Sequence, residues 1–482
     1  MYLSKSDYIL GCFCEKALWL KKHKRDLLET PENNTLTDTG YDVQDLAQKL
    51  YPDGVMIEAE PWEVEQGAEL TKKLAKKHSV LFEAVAKNDD GTFCRIDILE
   101  KNGRSWNLIE IKSTNEVKDT QIQDLAYQYY VFTQAGYKIK QCFILHLNKE
   151  YVRGKRLNIK KLFKLDNVTE EVAEIQESVS KNTDYLLKYQ NKRVEPKIKI
   201  SKQCQKCDFY AYCCAKVPDY SIWDIFQITT ATKICEKLNS YDINKLNAAD
   251  YDGKNKIDIE AWQKQKIHCD KKQIKEFLSQ LQYPLYYLDY ETIQSAIPMF
   301  ENSSPYQQIP FQFSLHIQKE VGGAVKHISF LHKEKTDPRR ALAEYLVKHC
   351  GKKGSVIVYN ENFEKSRNKE LADLFPDLRK AILAINDRIV DQLIPFRERA
   401  LYHYKQHSSA SIKAVLPAFT KLSYDDMEVH NGGEAMERYL AFMQGKLTST
   451  EEKVLFDGLE AYCGQDTYAM VKLTEVLYKK AK

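Results

Sequence analysis

Two apolar stretches close together in the chain carry the first residues able to do chemistry. Asp97 stands in Arg95-Ile96-Asp97-Ile98-Leu99, and Glu110 and Lys112 stand in Leu108-Ile109-Glu110-Ile111-Lys112. Side chains of an extended chain alternate between faces, so Glu110 and Lys112 point one way and Ile109 and Ile111 the other. If the two stretches pair as strands, two carboxylates and an ammonium converge on one sheet surface. The acids suit a hard divalent cation such as Mg2+ or Mn2+, and the lysine suits the charge that builds on a phosphate.

A second set lies further along. Asp289 and Glu291 end the apolar run Tyr286-Tyr287-Leu288, with period two placing both acids on one face. Glu364 closes Asn360-Glu361-Asn362-Phe363-Glu364, just after the strand-like Val356-Ile357-Val358. Tyr462 and Asp466 are one helical turn apart and share a face. Carboxylates gathered at the edges of one small α/β core suit two metal ions about 4 Å apart, one activating water and the other stabilising the leaving oxygen. Asp391, in Ile389-Val390-Asp391, is the alternative fourth acid.

The third pattern is made of thiols. Of 12 cysteines, Cys204, Cys207, Cys213 and Cys214 fall in one short stretch. Two thiolates separated by two residues bind one metal centre from a single turn, and Cys213 is near enough to join them. The fourth ligand comes from elsewhere, with Cys14 the first choice and Cys12 the second. Spacing alone leaves zinc and an iron–sulfur cluster both open.

These residues need scaffolds. A chain of 482 residues that is 43% hydrophobic has material for more than one core, so two or three domains are expected. Residues 1–80 carry helical periodicity. Val80 to Leu99 is strand-like around the turn Asn88-Asp89-Asp90-Gly91, and Trp106 to Ser113 is the next strand. Asp119 to Ala135 turns helical and meets Gly136, and Gln141 to Leu147 is again a strand. A basic stretch follows, with Lys149, Arg153, Lys155, Arg156, Lys160, Lys161 and Lys164 suited to a solvated surface or a phosphate track. Residues 216–280 read as a helical connector, and a second strand-rich core begins near Tyr283.

The near balance of charge, net +4, excludes a strongly basic nucleic-acid coat and allows local basic grooves. The opening residues lack an apolar leader core, and no run of roughly 18 apolar residues suggests a membrane span. A cytoplasmic protein that does not enter membranes is expected.

With these motifs in hand, residues 1–215 resemble the RecB-like PD-(D/E)XK nucleases with an iron–sulfur clasp, as in the AddB subunit and the CRISPR-associated RecB-like nucleases. Those place one cysteine before the nuclease core and a C-x2-C-x5-C triplet after it, matched here by Cys14 and by Cys204, Cys207 and Cys213. The resemblance implies a 4Fe–4S cluster rather than zinc, metal-binding acids at Asp97 and Glu110, and a catalytic lysine at Lys112. Accessory positions fall on Gln44, Glu83, Asp124 and Gln128. Asp124 and Gln128 stand where the family carries Gln and Tyr, and Gln44 falls near a family histidine. Residues 281–482 resemble the DEDD exonucleases of the RNase H-like fold, in the form with a tyrosine four residues before the last acid. This implies Asp289, Glu291 and Asp466 as metal ligands, Tyr462 as the residue orienting water, and Glu364 where that family has Asp. Bacterial fusions of the two folds, of unassigned role, look like this chain.

The resulting expectation is an α/β protein. A restriction-endonuclease-like domain (1–215) is followed by a helical connector (216–280) and an RNase H-like domain (281–482). Its expected activity is Mg2+- or Mn2+-dependent hydrolysis of phosphodiesters, with single-stranded or end-bearing DNA as substrate, in DNA repair or defence against foreign DNA. Two other readings use the same residues: a nucleic-acid-binding module whose catalytic centres have decayed, and an RNA-processing 3′–5′ exoribonuclease.

Overall fold

In the computed structural model, which describes residues 2–28 and 35–482, the alternating apolar stretches form strands of two separate α/β sheets. The chain clusters into two units, Met1–Ala215 with Ser295–Gln307, and Lys216–Gln294 with Gln308–Lys482. Among the described residues no helix is long and apolar enough to cross a membrane.

The first unit has strands β1 (Val55–Met56), β2 (Val80–Lys87), β3 (Phe93–Asn102), β4 (Ser105–Lys112), β5 (Ile139–Leu147) and β6 (Phe163–Asn167), adjacent in that order. Strands β2, β3 and β4 form an antiparallel meander, and β4 and β5 run parallel. Its helices include α1 (Lys5–Phe13), α2 (Glu15–His23), α3 (Thr35–Gln48), α4 (Val64–Leu74) and α5 (Asp119–Gln134). Helix α1 starts at a capping box, with Asp7 N donating to Ser4 Oγ and Ser4 N donating to Asp7 Oδ2. Beyond α5, Gly136 sits at φ 89°, a left-handed conformation that glycine adopts at little cost.

Helix α5 covers one face of the sheet, where its Leu125, Ala126, Val131 and Phe132 pack with Ile96, Leu99 and Leu108. Ile98, Ile109 and Ile111 pack on the other face with Val43 and Ala47 of α3. Residues 163–167, within or next to the expected basic surface, form the edge strand β6, where Lys164 pairs with Asp166 at 3.0 Å.

The second unit contains β7 (His268–Cys269), β8 (Leu285–Ile293), β9 (Ile309–Gln318), β10 (Val325–Leu331), β11 (Val356–Val358), β12 (Ile389–Asp391) and β13 (Leu401–Tyr402). Its main sheet has the order β10-β9-β8-β11-β12. The first three of these pair antiparallel, and β8, β11 and β12 pair parallel. Strand β8 is buried on both faces. Tyr286, Leu288 and Tyr290 enter one core, while Leu285 and Tyr287 enter another with Met470 and Val471 of the long helix Ser449–Ala481. Asp289 and Glu291 share the parity of Tyr287 and so face that helix.

Two boundaries differ from expectation. Residues 216–280 are not a free-standing connector but cluster with the second unit. They bury Ile222 and Trp223 and pair β7 with β13. Asp258 receives a bidentate bond from Arg399 at 2.6 and 2.9 Å. Conversely, residues 295–307 between β8 and β9 belong to the first unit. There Ala296 is buried in the Ile98–Ile109 core, and Arg153 Nη1 donates to the Pro298 carbonyl at 2.6 Å.

Candidate functional site

The first nest forms where two ladders are interrupted. The β2–β3 register passes from Phe82↔Ile98 to Ala84↔Ile96, leaving Glu83 and Asp97 out of the pairing. Glu83 adopts φ 55°, a left-handed conformation costing a non-glycine residue on the order of 1–3 kcal/mol. Strands β3 and β4 stop pairing at Ile98↔Ile109, and Asp97 Oδ2 accepts from the Ile111 amide at 2.6 Å. Such irregularities re-aim side chains beside functional sites.

Around this opening, Lys112 Nζ donates to Glu110 Oε1 at 2.9 Å and to Asp124 Oδ2 at 2.6 Å. Gln128 Nε2 donates to the other Glu110 oxygen at 2.9 Å, so Asp124 and Gln128, one turn apart on α5, both face the nest. Gln44 donates to Glu83 Oε1, and Arg95 lies 3.8 Å from its other oxygen. Lys5, which the sequence reading did not single out, reaches in from α1 to 2.6 Å from Glu110 Oε1 and 3.5 Å from Asp124 Oδ2. No spacing signal links Lys5 to residues about a hundred positions away. Burial works against the Glu110 charge, but Lys5 and Lys112 overcome it and hold that carboxyl down to about 2. Burial and then the Glu110 charge push Asp97 well up, and burial also raises Glu83.

The second nest differs in that, among the described residues, no ammonium forms an ion pair with its acids. The ligand atoms of Asp289, Glu291 and Cys463 lie within 4.8 Å of one another. Asp466, on the long C-terminal helix, acts on Asp289 and Glu291 through its charge while lying outside that group, and its Oδ1 accepts from Tyr424 OH at 2.6 Å. Tyr462, one turn before Asp466 on the same helix, also helps hold that carboxyl down. Lys413 Nζ stands 5.0 and 5.4 Å from the ring centroids of Tyr462 and Tyr424.

Burial, with the charges of Asp466, Glu291 and Glu364, pushes Asp289 well above the carboxylate range. Burial and then Asp466 raise Glu291 to about 8, against the pull of Lys413. Asp466 rises to about 6 through burial, held back by Tyr424, Lys413 and Tyr462. Glu364, also at about 8, is 2% exposed, with an Oε2 that has no hydrogen-bond partner among the described residues. Asp391 sits at the end of β12, where its Oδ1 accepts from the amides of Asn360 at 3.0 Å and Leu393 at 2.9 Å. Its charge acts on Glu364, and it lies outside the Asp289–Glu291–Cys463 group. Cys463 and Tyr424 were missed in the sequence. Cys463 had a signal, since it follows Tyr462 on the same helix; Tyr424, 42 residues before Asp466, had none.

The cysteines form a third cluster. Cys14 caps the start of α2, Cys204 lies in the short 3-10 turn Lys202–Lys206, and Cys213 lies in the helix Tyr210–Cys214. Cys14, Cys207 and Cys213 pack together on Trp19, Tyr189 and Phe209. Burial raises Cys207 to about 11, and the charges of Cys14, Cys213 and Cys204 add to this. The alternative Cys12 is exposed and faces Tyr8 and Asn182 instead. Beside the cluster, Glu195 receives Lys16 and Lys24, each at 2.8 Å, tying flanking segments together.

The fold and sites thus define an α/β protein with two acid nests and one thiol cluster. A family model described as "Domain of unknown function (DUF2779)" matches residues 286–411. That span carries Asp289, Glu291, Glu364 and Asp391 and ends before Tyr462. The chain is similar to "Uncharacterized protein MG366" of Mycoplasma genitalium, 27% identical over 263 residues, covering 51% of this chain and 39% of that protein. It is also similar to the "Uncharacterized protein MG366 homolog" of Mycoplasma pneumoniae, 27% identical over 234 residues, covering 45% and 35%. "Uncharacterized protein UU173" of Ureaplasma parvum is 26% identical over 216 residues, covering 40% and 31%. The chain therefore spans between about a third and two fifths of the length of these relatives.

Proposed function

We propose that the protein is a metal-dependent nuclease with two hydrolytic centres. The observation that carries this reading is the acid group Asp289, Glu291, Glu364 and Asp466, of which the last three are buried and Asp289 half-buried, none making an ion pair among the described residues. Acids crowded largely out of water, with Lys413 near them but no ion pair among the described residues, are stabilised by a bound divalent ion. The sheet order β10-β9-β8-β11-β12 supports an RNase H-like domain of the DEDD exonuclease kind. The meander, helix and parallel strand of the first unit support a PD-(D/E)XK domain.

In the second centre Asp289, Glu291 and Asp466 would hold Mg2+ or Mn2+, with Glu364 behind them. Such ions supply a hydroxide nucleophile and neutralise the phosphate. The remaining work belongs to the chain. Tyr462 and Tyr424 hold protons at their phenol oxygens and fix the orientation of Asp466. Lys413 balances acid charge and offers an ammonium to a phosphate.

In the first centre Asp97 and Glu110 would hold an ion. The Lys5 ammonium between Glu110 and Asp124 is a stand-in that supports a cation fitting there. Lys112 orients and stabilises the phosphate.

Cys14, Cys204, Cys207 and Cys213 would hold a 4Fe–4S cluster. Cys14, Cys207 and Cys213 pack against the same core of Trp19, Tyr189 and Phe209. What supports the cluster over zinc is the resemblance of the C-x2-C-x5-C triplet and its preceding cysteine to the iron–sulfur nucleases.

The test is digestion of labelled single-stranded DNA, duplex DNA and RNA with and without Mg2+ or Mn2+. The wild type is compared with Lys112→Ala, Asp289→Ala and the double variant. Metal-dependent loss of DNA, reduced by each substitution, supports the reading. Binding without digestion points to a module with decayed centres, and digestion of RNA alone to an exoribonuclease.

A further inference from the structure

We propose that Lys5 is the resident counter-cation of the first nest, holding the place that a divalent ion takes up and competing with it. This rests on the metal-binding reading of that nest and adds an internal competitor to it.

Lys5 is not a loose surface residue. Leu3 bridges to Thr92, its carbonyl accepts from Tyr127 OH at 2.6 Å, and Ser4 caps the helix on which Lys5 sits. Asp7, two residues on, is held by Lys21 at 2.9 Å and Lys22 at 2.5 Å. This scaffold delivers the Lys5 ammonium to Glu110 Oε1 at 2.6 Å and to Asp124 Oδ2 at 3.5 Å. The charge of Asp97 acts on the same ammonium.

Lys112 already meets the same two oxygens, at 2.9 and 2.6 Å. A second lysine is therefore redundant as an ion-pair partner for Glu110. With Gln128 on the other oxygen, every acceptor atom of Glu110 has a donor in place. An incoming metal ion must displace one of them. Lys112 is fixed two residues along the same strand, and the Gln128 side chain is fully buried on α5. Lys5 comes from a separate element on a flexible four-carbon stem, its side chain 28% exposed, and is the donor able to withdraw into water. Charge agrees. Without the ion, Asp97 is pushed toward its protonated form and the two lysines balance Glu110 and Asp124; with all three acids ionised, a divalent ion in place of Lys5 beside Lys112 again leaves no net charge.

The experiment measures Mn2+ binding by the loss of the free-ion electron paramagnetic resonance signal. It uses the full chain carrying Asp289→Ala to silence the second nest, with Glu110→Gln added to define which binding belongs to the first. Lys5→Met and Lys5→Gln should tighten Mn2+ binding at the first nest by roughly tenfold or more, because a positive charge in contact with the ligand oxygen is removed. Lys5→Arg, which keeps the charge, should stay within about threefold of the parent. Unchanged or weaker Mn2+ binding in Lys5→Met and Lys5→Gln overturns the proposal alone. No Glu110-dependent Mn2+ binding in any of the proteins overturns the metal reading of this nest as well. Loss of the wild-type melting transition in both neutral variants makes Lys5 part of the scaffold and also overturns the proposal.

Discussion

Replacing Glu364 with glutamine should stabilise the metal-free protein at pH 8 and barely affect it at pH 5. The carboxyl is buried with an orphaned oxygen, and burial, aided by Asp391, pushes it from an ordinary 4.5 to about 8. A carboxyl whose folded-state pKa lies above its unfolded value favours folding while protonated. That stability is full below about 4.5 and is lost as pH rises to about 8. At ~1.4 kcal/mol per pH unit, the gap costs the folded state on the order of 4 kcal/mol at pH 8. An amide of the same shape avoids the charge but still needs hydrogen bonds, so a net gain of about 2 kcal/mol is expected. For a domain of 150–250 residues that raises the melting temperature by roughly 4–8 °C. Calorimetry of the chelated full chain at both pH values reads this directly, and Mg2+ at pH 8 should raise the wild-type transition more than that of Glu364→Gln. Equal or lower stability of the variant at pH 8, or the same gain at pH 5, would refute the reasoning.

Other outcomes follow from the same geometry. Tyr424→Phe removes the 2.6 Å bond that helps hold Asp466 ionised, so the acid limb of the metal-dependent rate profile should move up by about half to one pH unit. A rate profile with an unmoved acid limb would count against that bond. Cys14→Ser in anaerobically purified protein should abolish absorbance at about 400 nm, whereas Cys12→Ser should retain it. Leu108→Ala, in the fully buried core beneath α5, should cost about 2–5 kcal/mol in chemical denaturation.

Much of the first nest was legible because strand alternation alone puts Glu110 and Lys112 on one face, and one helical turn puts Asp124 and Gln128 on another. Period two on β8 likewise made the pairing of Asp289 with Glu291 readable. Lys5 and Tyr424 were not readable. Each meets its partner through a contact of long sequence separation that no local periodicity encodes. The left-handed backbone of Glu83 was hidden for another reason: a glutamate inside an apolar run gives no sign of a positive φ. Residues 216–280 are helical as expected and cluster with the second unit, a membership that local periodicity does not encode. The buried cluster Tyr220, Ile222, Trp223 and Phe226 is plain in the sequence, but which unit it packs with is not.

The excursion of residues 295–307 bears on how the protein can be dissected. Ala296 sits in the core around Ile109, Tyr306 gives its phenol hydrogen to the Ser113 carbonyl just past Lys112, and Arg153 grips Pro298. A fragment truncated at residue 215 would lack this patch, and its loss of activity would say little about the chemistry of Asp97 and Glu110. Dividing the centres by point substitution in the intact polypeptide keeps that plug seated, so either nest can be silenced while the other stays supported.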